Sequence, residues 1–205
     1  MVVVSQYIAA SGGAKWQALT RMVPMAIMAR MTRDQLAKRI ADVSLLRGEF
    51  TLRSGRKSNY YLDKYRFETQ PDVLRALGEL LAERVTTDID RIAGAELGAV
   101  ALAAAASMAS GKPFVIIRNQ KKDYGTSKLV EGVLNEGEKV LIVEDVLTTG
   151  GQVLEAARSL KDAGATVERI VAVIDRQEGA RENIESAGYV FEALFTTADL
   201  GVEKP

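Results

Sequence analysis

Four short apolar runs that alternate with stretches of helical character constrain the fold of this chain most. The runs cover residues 91–95, 113–117, 140–143 and 170–174, and the helical stretches cover 99–110, 151–163 and 179–187. Runs of Val, Ile and Leu without polar alternation are typical of strands that are buried on both faces. The pattern therefore predicts an α/β fold of three layers, with a mostly parallel central sheet and helices on both faces.

The segment ahead of these runs begins with a helix start. Thr32 and Gln35 have the spacing of a capping box, and an apolar face follows at helical period. The segments 49–52 and 60–62 then flank a polar turn, and Pro71 opens another helix that we expect to reach about residue 85.

Residues 1–30 differ in composition from the rest of the chain. They contain no acidic residue, three basic residues and four methionines, and Met31 follows directly. Three interpretations remain open: a start site assigned too early, a presequence of the basic, acid-poor kind, or an ordered extension. We favour the first, and expect residues 1–30 to be poorly ordered or absent from the mature protein, with residues 31–205 forming one domain.

The absence of histidine and cysteine limits the chemistry of the chain. It excludes a Ser-His-Asp triad, His-ligated zinc, an imidazole base and thiolate sites. Carboxylates, Lys, Arg, Tyr, hydroxyls and backbone amides remain, and these suit phosphates and Mg²⁺. Lys plus Arg and Asp plus Glu both total 27, so we expect neither a nucleic-acid nor a membrane partner. The lack of cysteine fits a cytoplasmic location.

The segment from Val140 to Gly151 carries the strongest functional signal. An apolar strand ends in Glu144 and Asp145, and a loop rich in Thr and Gly leads into a helix. Backbone N–H groups, hydroxyls and a helix N-terminus together suit a phosphate monoester. No Gly-Lys-Ser/Thr follows, so this is not a Walker A loop. The two carboxylates can bind a sugar diol, or favour a nearby Mg²⁺ or a developing positive charge.

Three loops lie where parallel sheets bind their ligands, beyond the carboxyl ends of the strands. They cover residues 96–98, 118–129 and 144–151. The sequence therefore predicts one site that is formed by these three loops.

The segment 140–151 resembles the phosphoribosyl pyrophosphate signature of the type I phosphoribosyltransferases. Three further segments, in family order, resemble those of the orotate phosphoribosyltransferases. Residues 48–58 resemble the N-terminal motif, 118–132 the mobile catalytic loop, and 175–179 the place where an Arg holds orotate. The resemblance implies the type I fold with a small N-terminal hood region. It also implies Mg²⁺-dependent transfer of the phosphoribosyl group to orotate, giving orotidine 5′-monophosphate in UMP biosynthesis.

The resemblance implies a role for each matching residue. Arg176 would offer the orotate carboxylate a fork of donors, and Tyr61 would pack near the base or ribose. Glu144 and Asp145 would hold the ribose hydroxyls, with Mg²⁺ bound mainly by substrate oxygens and water. The 5′-phosphate would be bound by Val146, Leu147, Thr148, Thr149, Gly150 and Gly151. Glu96 and Gly98 would contact the pyrophosphate, and Arg118 and Lys122 would neutralise its charge as it leaves.

The loop from Asn119 to Leu129 is polar and rich in Lys. Alone it indicates a solvated hairpin. The resemblance implies a lid that reaches the neighbouring subunit's site, and hence a homodimer with shared active sites. The chain departs from the family at Arg53, where Lys is usual, and at Asn119, where a basic residue is common and for which Lys121 could substitute. Tyr124 occupies a position that is His in some members.

Two other functions fit part of the pattern. A transferase of the same class that acts on a purine or uracil would share the sugar-phosphate site, but Arg176 favours a carboxylated base. A regulatory protein that only binds phosphoribosyl pyrophosphate would need a nucleic-acid-binding surface, which this neutral chain does not offer. Such a protein would also have no need for four basic residues on the loop 118–128.

Overall fold

The computed structural model describes residues 30–51, 55, 57–119 and 129–202. All of these except Arg30 belong to the unit Met31–Pro205. Its strands are β1 (Leu45–Thr51), β2 (Lys57–Leu62), β3 (Arg91–Ala95), β4 (Phe114–Ile117), β5 (Val130–Glu131), β6 (Lys139–Leu147), β7 (Thr166–Asp175) and β8 (Val190–Thr196). Its α-helices are α1 (Arg33–Ser44), α2 (Lys64–Glu68), α3 (Pro71–Ala82), α4 (Gly98–Ser110), α5 (Gly151–Asp162) and α6 (Ala180–Ser186), followed by the 3₁₀ helix Ala198–Leu200.

The main sheet has six strands in the order β5-β4-β3-β6-β7-β8. Strands β4, β3, β6, β7 and β8 are parallel to one another, and β5 pairs antiparallel with β4. Strands β1 and β2 form a separate antiparallel hairpin. This hairpin lies outside the main sheet and corresponds to the N-terminal region that we expected beside it.

Strand β6 shows how the three layers form. Leu141 and Val143 pack with buried residues of α1, α2, α3 and α4 on one side of the sheet. Val140 and Ile142 pack with α5 and α6 on the other side. Because successive side chains of a strand point to opposite faces, a continuous apolar run fills both cores. The predicted three-layer α/β fold is confirmed.

Helix α1 begins as the sequence predicts. The Gln35 backbone N–H donates to Thr32 Oγ1 at 3.2 Å, and the Thr32 N–H donates to Gln35 Oε1 at 2.9 Å. This capping box satisfies two donors that the helix itself cannot pair. Leu36 and Ile40 are buried in the core below it.

Several predicted boundaries were wrong. Strand β6 extends to Leu147 instead of ending at residue 143, because its backbone pairs with β7 as far as Leu147 and Asp175. The two acids therefore lie within the strand. Helix α3 ends at Ala82 instead of about 85. Helix α2 and strands β5 and β8 were missed.

Residues 1–29 lie outside the described residues, so our expectation about the N-terminal extension stays a prediction. In the described part of the chain, no helix is long and apolar enough to span a membrane.

Candidate active site

The described residues of the three loops that the sequence singled out lie at one edge of the main sheet. The parallel register of β3 with β6, and of β6 with β7, aligns their carboxyl ends. A cavity of about 180 Å³ lies at this edge. Its lining includes five predicted site residues and one that was not predicted: Glu96, Gly98, Arg118, Glu144, Asp145 and Lys64.

Asp145 lies at the centre of the charged groups in this cavity. Its side chain is 2% exposed, and the Lys64 ammonium donates to its Oδ2 at 2.6 Å. The backbone N–H of Val146 donates to the other carboxylate oxygen. Burial alone would lower the pKa of Lys64, but the hydrogen bond and charge of Asp145 outweigh it and raise that pKa.

Two further buried carboxyl groups surround this ion pair. Burial, and then the charge of Asp145, raise the pKa of Glu144 well above its ordinary value. Burial and the same charge raise the pKa of Glu68 to about 8. Glu68 is 4% exposed, and its Oε1 has no hydrogen-bond partner in the described part of the structure. Near neutral pH, Glu68 is therefore mostly protonated.

The loop between β3 and α4 forms the opposite wall of the cavity. The peptide bond between Glu96 and Leu97 is cis. A Cβ on Gly98 would overlap the Asp145 carboxylate and lie 3.0 Å from Lys64 Nζ. Gly98 therefore lets this loop approach the carboxylate closely, as well as any ligand.

Asn119, which departs from the family pattern, has a structural role. Its backbone N–H donates to Glu96 Oε1 at 2.9 Å, and its side-chain Nδ2 donates to the Glu96 carbonyl at 2.8 Å. The Arg118 N–H donates to the Leu129 carbonyl at 2.8 Å and closes the base of the loop between β4 and β5. Asn119 thus ties that base to the loop after β3.

The Thr/Gly loop follows β6 and ends at the start of α5. Thr148 and Thr149 are exposed, and Gly150 has a φ of 79° directly before the helix. Val146 and Leu147, which we assigned to this loop, belong to β6, and the Leu147 side chain lies in the core. The exposed hydroxyls and the first turn of α5 are thus the groups that face solvent here.

Arg176 follows β7 and lies against Tyr60. Its Nη2 is 3.4 Å from Tyr60 Oη and 2.9 Å from Glu178 Oε1. Its Nε is buried and has no hydrogen-bond partner among the described residues. Tyr61, the predicted partner of the base, is 45% exposed and packs on Phe50 with 5.7 Å between ring centroids.

Four predicted site residues lie outside the described residues: Arg53, Lys121, Lys122 and Tyr124. Their roles stay predictions. In the ranges that the structure does describe, no group of three or more acidic side chains is arranged to hold a metal ion.

Sequence reasoning missed Lys64, Glu68 and Tyr60. Lys64 and Glu68 are four residues apart on α2, a spacing that places them on one helix face. This was the available signal, but five residues are too few to show a helical period. Tyr60 differs from Tyr61 only in the face of β2 that it occupies.

Comparisons with known proteins agree with this geometry. Residues 65–202 match the phosphoribosyl transferase domain family. An orotate phosphoribosyltransferase of Methanocella arvoryzae is 48% identical over 158 residues, which cover 77% of this chain and 90% of that protein. One of Pyrococcus abyssi is 45% identical over 172 residues, covering 82% of this chain and 94% of that protein.

A solved structure extends the comparison to the fold. The crystal structure of Mycobacterium tuberculosis H37Rv orotate phosphoribosyltransferase in complex with 5-phospho-α-D-ribosyl 1-diphosphate has a TM-score of 0.72 and 34% sequence identity. The match covers 83% of this chain and 99% of that chain.

Proposed function

Since the chain belongs to the orotate phosphoribosyltransferase family, we propose that it transfers the 5-phosphoribosyl group from phosphoribosyl pyrophosphate to orotate. The products are orotidine 5′-monophosphate and pyrophosphate. The observation that carries the proposal is the cavity between the loop 96–98 and the acid pair of β6, from which the Thr/Gly loop leads into α5.

Each part of the donor substrate has a chemically matched region. The exposed hydroxyls of Thr148 and Thr149 and the first backbone amides of α5 suit the 5′-phosphate. The carboxylate of Asp145 accepts from the ribose hydroxyls. The backbone of the loop 96–98 and the guanidinium of Arg118 face the pyrophosphate.

In the reaction, the bond from the anomeric carbon to pyrophosphate breaks, and its electron pair leaves with pyrophosphate. Orotate N1 bonds to that carbon, and the N1 proton passes to water or to an oxygen of the leaving pyrophosphate. The ribosyl centre becomes cation-like on the way, and the buried negative charge of Asp145 stabilises it. Catalysis then rests on positioning and electrostatics, which a chain without histidine can supply.

Arg176 is the residue that we assign to orotate. Tyr60 and Glu178 fix its guanidinium, and the buried Nε without a partner is a donor that a bound carboxylate would satisfy. Tyr60, rather than the predicted Tyr61, is the aromatic side chain beside this donor.

We also propose that the enzyme works with Mg²⁺, as the resemblance implies. Asp145 offers a hard oxygen donor next to the loop that faces the pyrophosphate, and one such carboxylate suffices for Mg²⁺ when substrate phosphates are present. Substrate oxygens and water would supply most of its ligands. When bound, Mg²⁺ neutralises charge on the pyrophosphate oxygens.

The remaining proposals concern assembly and location. We expect a homodimer in which the loop from Asn119 to Leu129 of one subunit, with Lys122 acting on the leaving pyrophosphate, completes the site of the other. We expect this enzyme to be cytoplasmic, in line with its lack of cysteine.

The test is the loss of orotate absorbance when purified protein meets orotate, phosphoribosyl pyrophosphate and Mg²⁺. Adenine, hypoxanthine and uracil are assayed in parallel by release of pyrophosphate. We expect turnover with orotate alone. Turnover with another base would favour a different transferase of the class, and binding of phosphoribosyl pyrophosphate without any turnover would favour a regulatory protein.

The Arg176→Met variant tests the orotate site. Loss of charge-assisted hydrogen bonds should raise KM for orotate by about 10-fold to 100-fold, with a much smaller change for phosphoribosyl pyrophosphate. Arg181→Met is the matched control, because Arg181 pairs with Glu185 on the exposed face of α6. Equal KM values for orotate in the two variants would remove the assignment of Arg176.

A further inference from the structure

Three buried acids, two in β6 and one in α2, lie near the end of β6, and Asp145 among them is in contact with Lys64. As whole residues, Glu68, Glu144 and Asp145 are 4%, 9% and 1% exposed. Lys64 forms an ion pair with Asp145 at 2.6 Å and is itself only 35% exposed in its side chain. Since an anion in such a desolvated place is costly without a counter-charge, this cation has a large effect on Asp145.

The Lys64 ammonium fixes one half of the Asp145 carboxylate. Oδ2 accepts from Lys64, and Oδ1 accepts from the Val146 N–H. Two donors on the two oxygens set the rotation of the carboxylate plane. Without Lys64, Oδ2 would lose its charged donor in a desolvated place, and the carboxylate would turn or take up a proton.

The position of Lys64 is set by packing, not by the ion pair alone. Lys64 begins α2, whose Phe67 is fully buried in the core. The preceding Asp63 donates its N–H to the Ser44 carbonyl at 2.9 Å, which ties the start of α2 to α1. Gly98 leaves room for the ammonium at the wall of the cavity. The chain thus holds this cation at a defined point.

We propose that Lys64 is a positioning residue of the transferase reaction, which holds the Asp145 carboxylate in the orientation that binds the ribose. This inference rests on the proposed function. The effect of Lys64 on the reaction passes through Asp145.

A double-mutant cycle tests this pathway. The variants are Lys64→Met, Asp145→Asn and the double variant, each measured for kcat and KM with orotate and for affinity towards phosphoribosyl pyrophosphate with Mg²⁺ by calorimetry. Lys64→Met should lower kcat/KM by about 10-fold to 100-fold. In the Asp145→Asn background, the same change should cost less than about 3-fold, because the partner is already lost.

Two controls separate positioning from general damage. Lys64→Arg keeps the charge and should recover most of the lost kcat/KM. Lys38→Met breaks a surface pair of α1 with Asp42 and should keep wild-type kinetics. Thermal unfolding of all variants shows whether each is folded.

If the losses of kcat/KM in the two single variants multiplied in the double variant, the inference would be overturned, because Lys64 would then act directly on the substrate. Wild-type kinetics in Lys64→Met, or no recovery in Lys64→Arg, would overturn it as well. Failure of the proposed function is distinguishable, since wild-type protein would then not consume orotate. In that case, the coupling of Lys64 and Asp145 in calorimetric affinity for phosphoribosyl pyrophosphate decides the inference by itself.

Discussion

Replacing Glu68 by Gln should make the folded protein more stable at neutral pH. Burial, reinforced by the charge of Asp145, raises the pKa of the Glu68 carboxyl from 4.5 to about 8. A carboxyl whose pKa is raised on folding contributes no penalty below its unfolded pKa, and it destabilises the folded state progressively as pH rises towards the folded pKa. Gln has the same shape and carries no charge at any pH.

The size of the effect follows from this interval. The pKa of Glu68 is 4.5 in the unfolded chain and about 8 in the folded protein. Linkage therefore lowers the free energy of unfolding of wild type by about 3 kcal/mol between pH 5 and pH 7.5. Because Glu68 is only 4% exposed, solvent screening reduces this value little. The Gln amide adds a donor that needs a partner, but this cost is the same at every pH.

Urea unfolding of wild type and Glu68→Gln at pH 5, 6.5 and 7.5 measures the difference. The free energy of unfolding of the variant should gain on that of wild type by about 3 kcal/mol over this range. Glu182→Gln is the matched control, because it makes the same change at an exposed position of α6. Parallel pH profiles for wild type and Glu68→Gln would refute the reasoning.

Two further predictions concern a structural ion pair and the wall of the site. Arg91 donates to both carboxylate oxygens of Glu138. Hydrogen bonding to Arg91 is the main reason why the pKa of Glu138 is lowered from 4.5 to about 2. Glu138→Gln should therefore cost about 2 to 3 kcal/mol at pH 7. Since that stabilisation is lost as pH falls from 4.5 towards 2, the urea midpoints of variant and wild type should converge there; a constant gap would contradict this. Gly98→Ala should lower kcat/KM by at least about 10-fold, because its Cβ would displace the Asp145 carboxylate. Steady-state kinetics with varied phosphoribosyl pyrophosphate measure this, and wild-type values would disprove it.

The predictable part of the fold is the interior of the main sheet. Strands β3, β4, β6 and β7 each have two neighbours, and their continuous apolar runs reveal them. Strands β5 and β8 lie at the two edges of that sheet. Strand β5 has only two residues, and β8 mixes buried Phe191 with the half-buried Glu192. Neither presents the uninterrupted run that identified the central strands.

The predictable part of the site is the part that lies within one segment. The acid pair and the Thr/Gly loop are contiguous in the sequence, so their pattern is visible there. The contact of Lys64 with Asp145 spans 81 residues, and that of Arg176 with Tyr60 spans 116. Such contacts depend on how α2 and the β1–β2 hairpin pack against the sheet, which local periodicity does not specify.

These long-range contacts also explain why the site tolerates a destabilising cluster. Glu68 and Glu144 are buried beside Asp145, where apolar side chains would give a more stable fold. Binding a ribose and stabilising a cation-like centre require an anionic group in a desolvated place, and such a group raises the pKa of any neighbouring carboxyl. Lys64 limits this cost without filling the cavity, because it approaches Asp145 from α2 past a glycine that leaves the space open. The same arrangement predicts that stability and activity will change in opposite directions when the acids of this cluster are replaced.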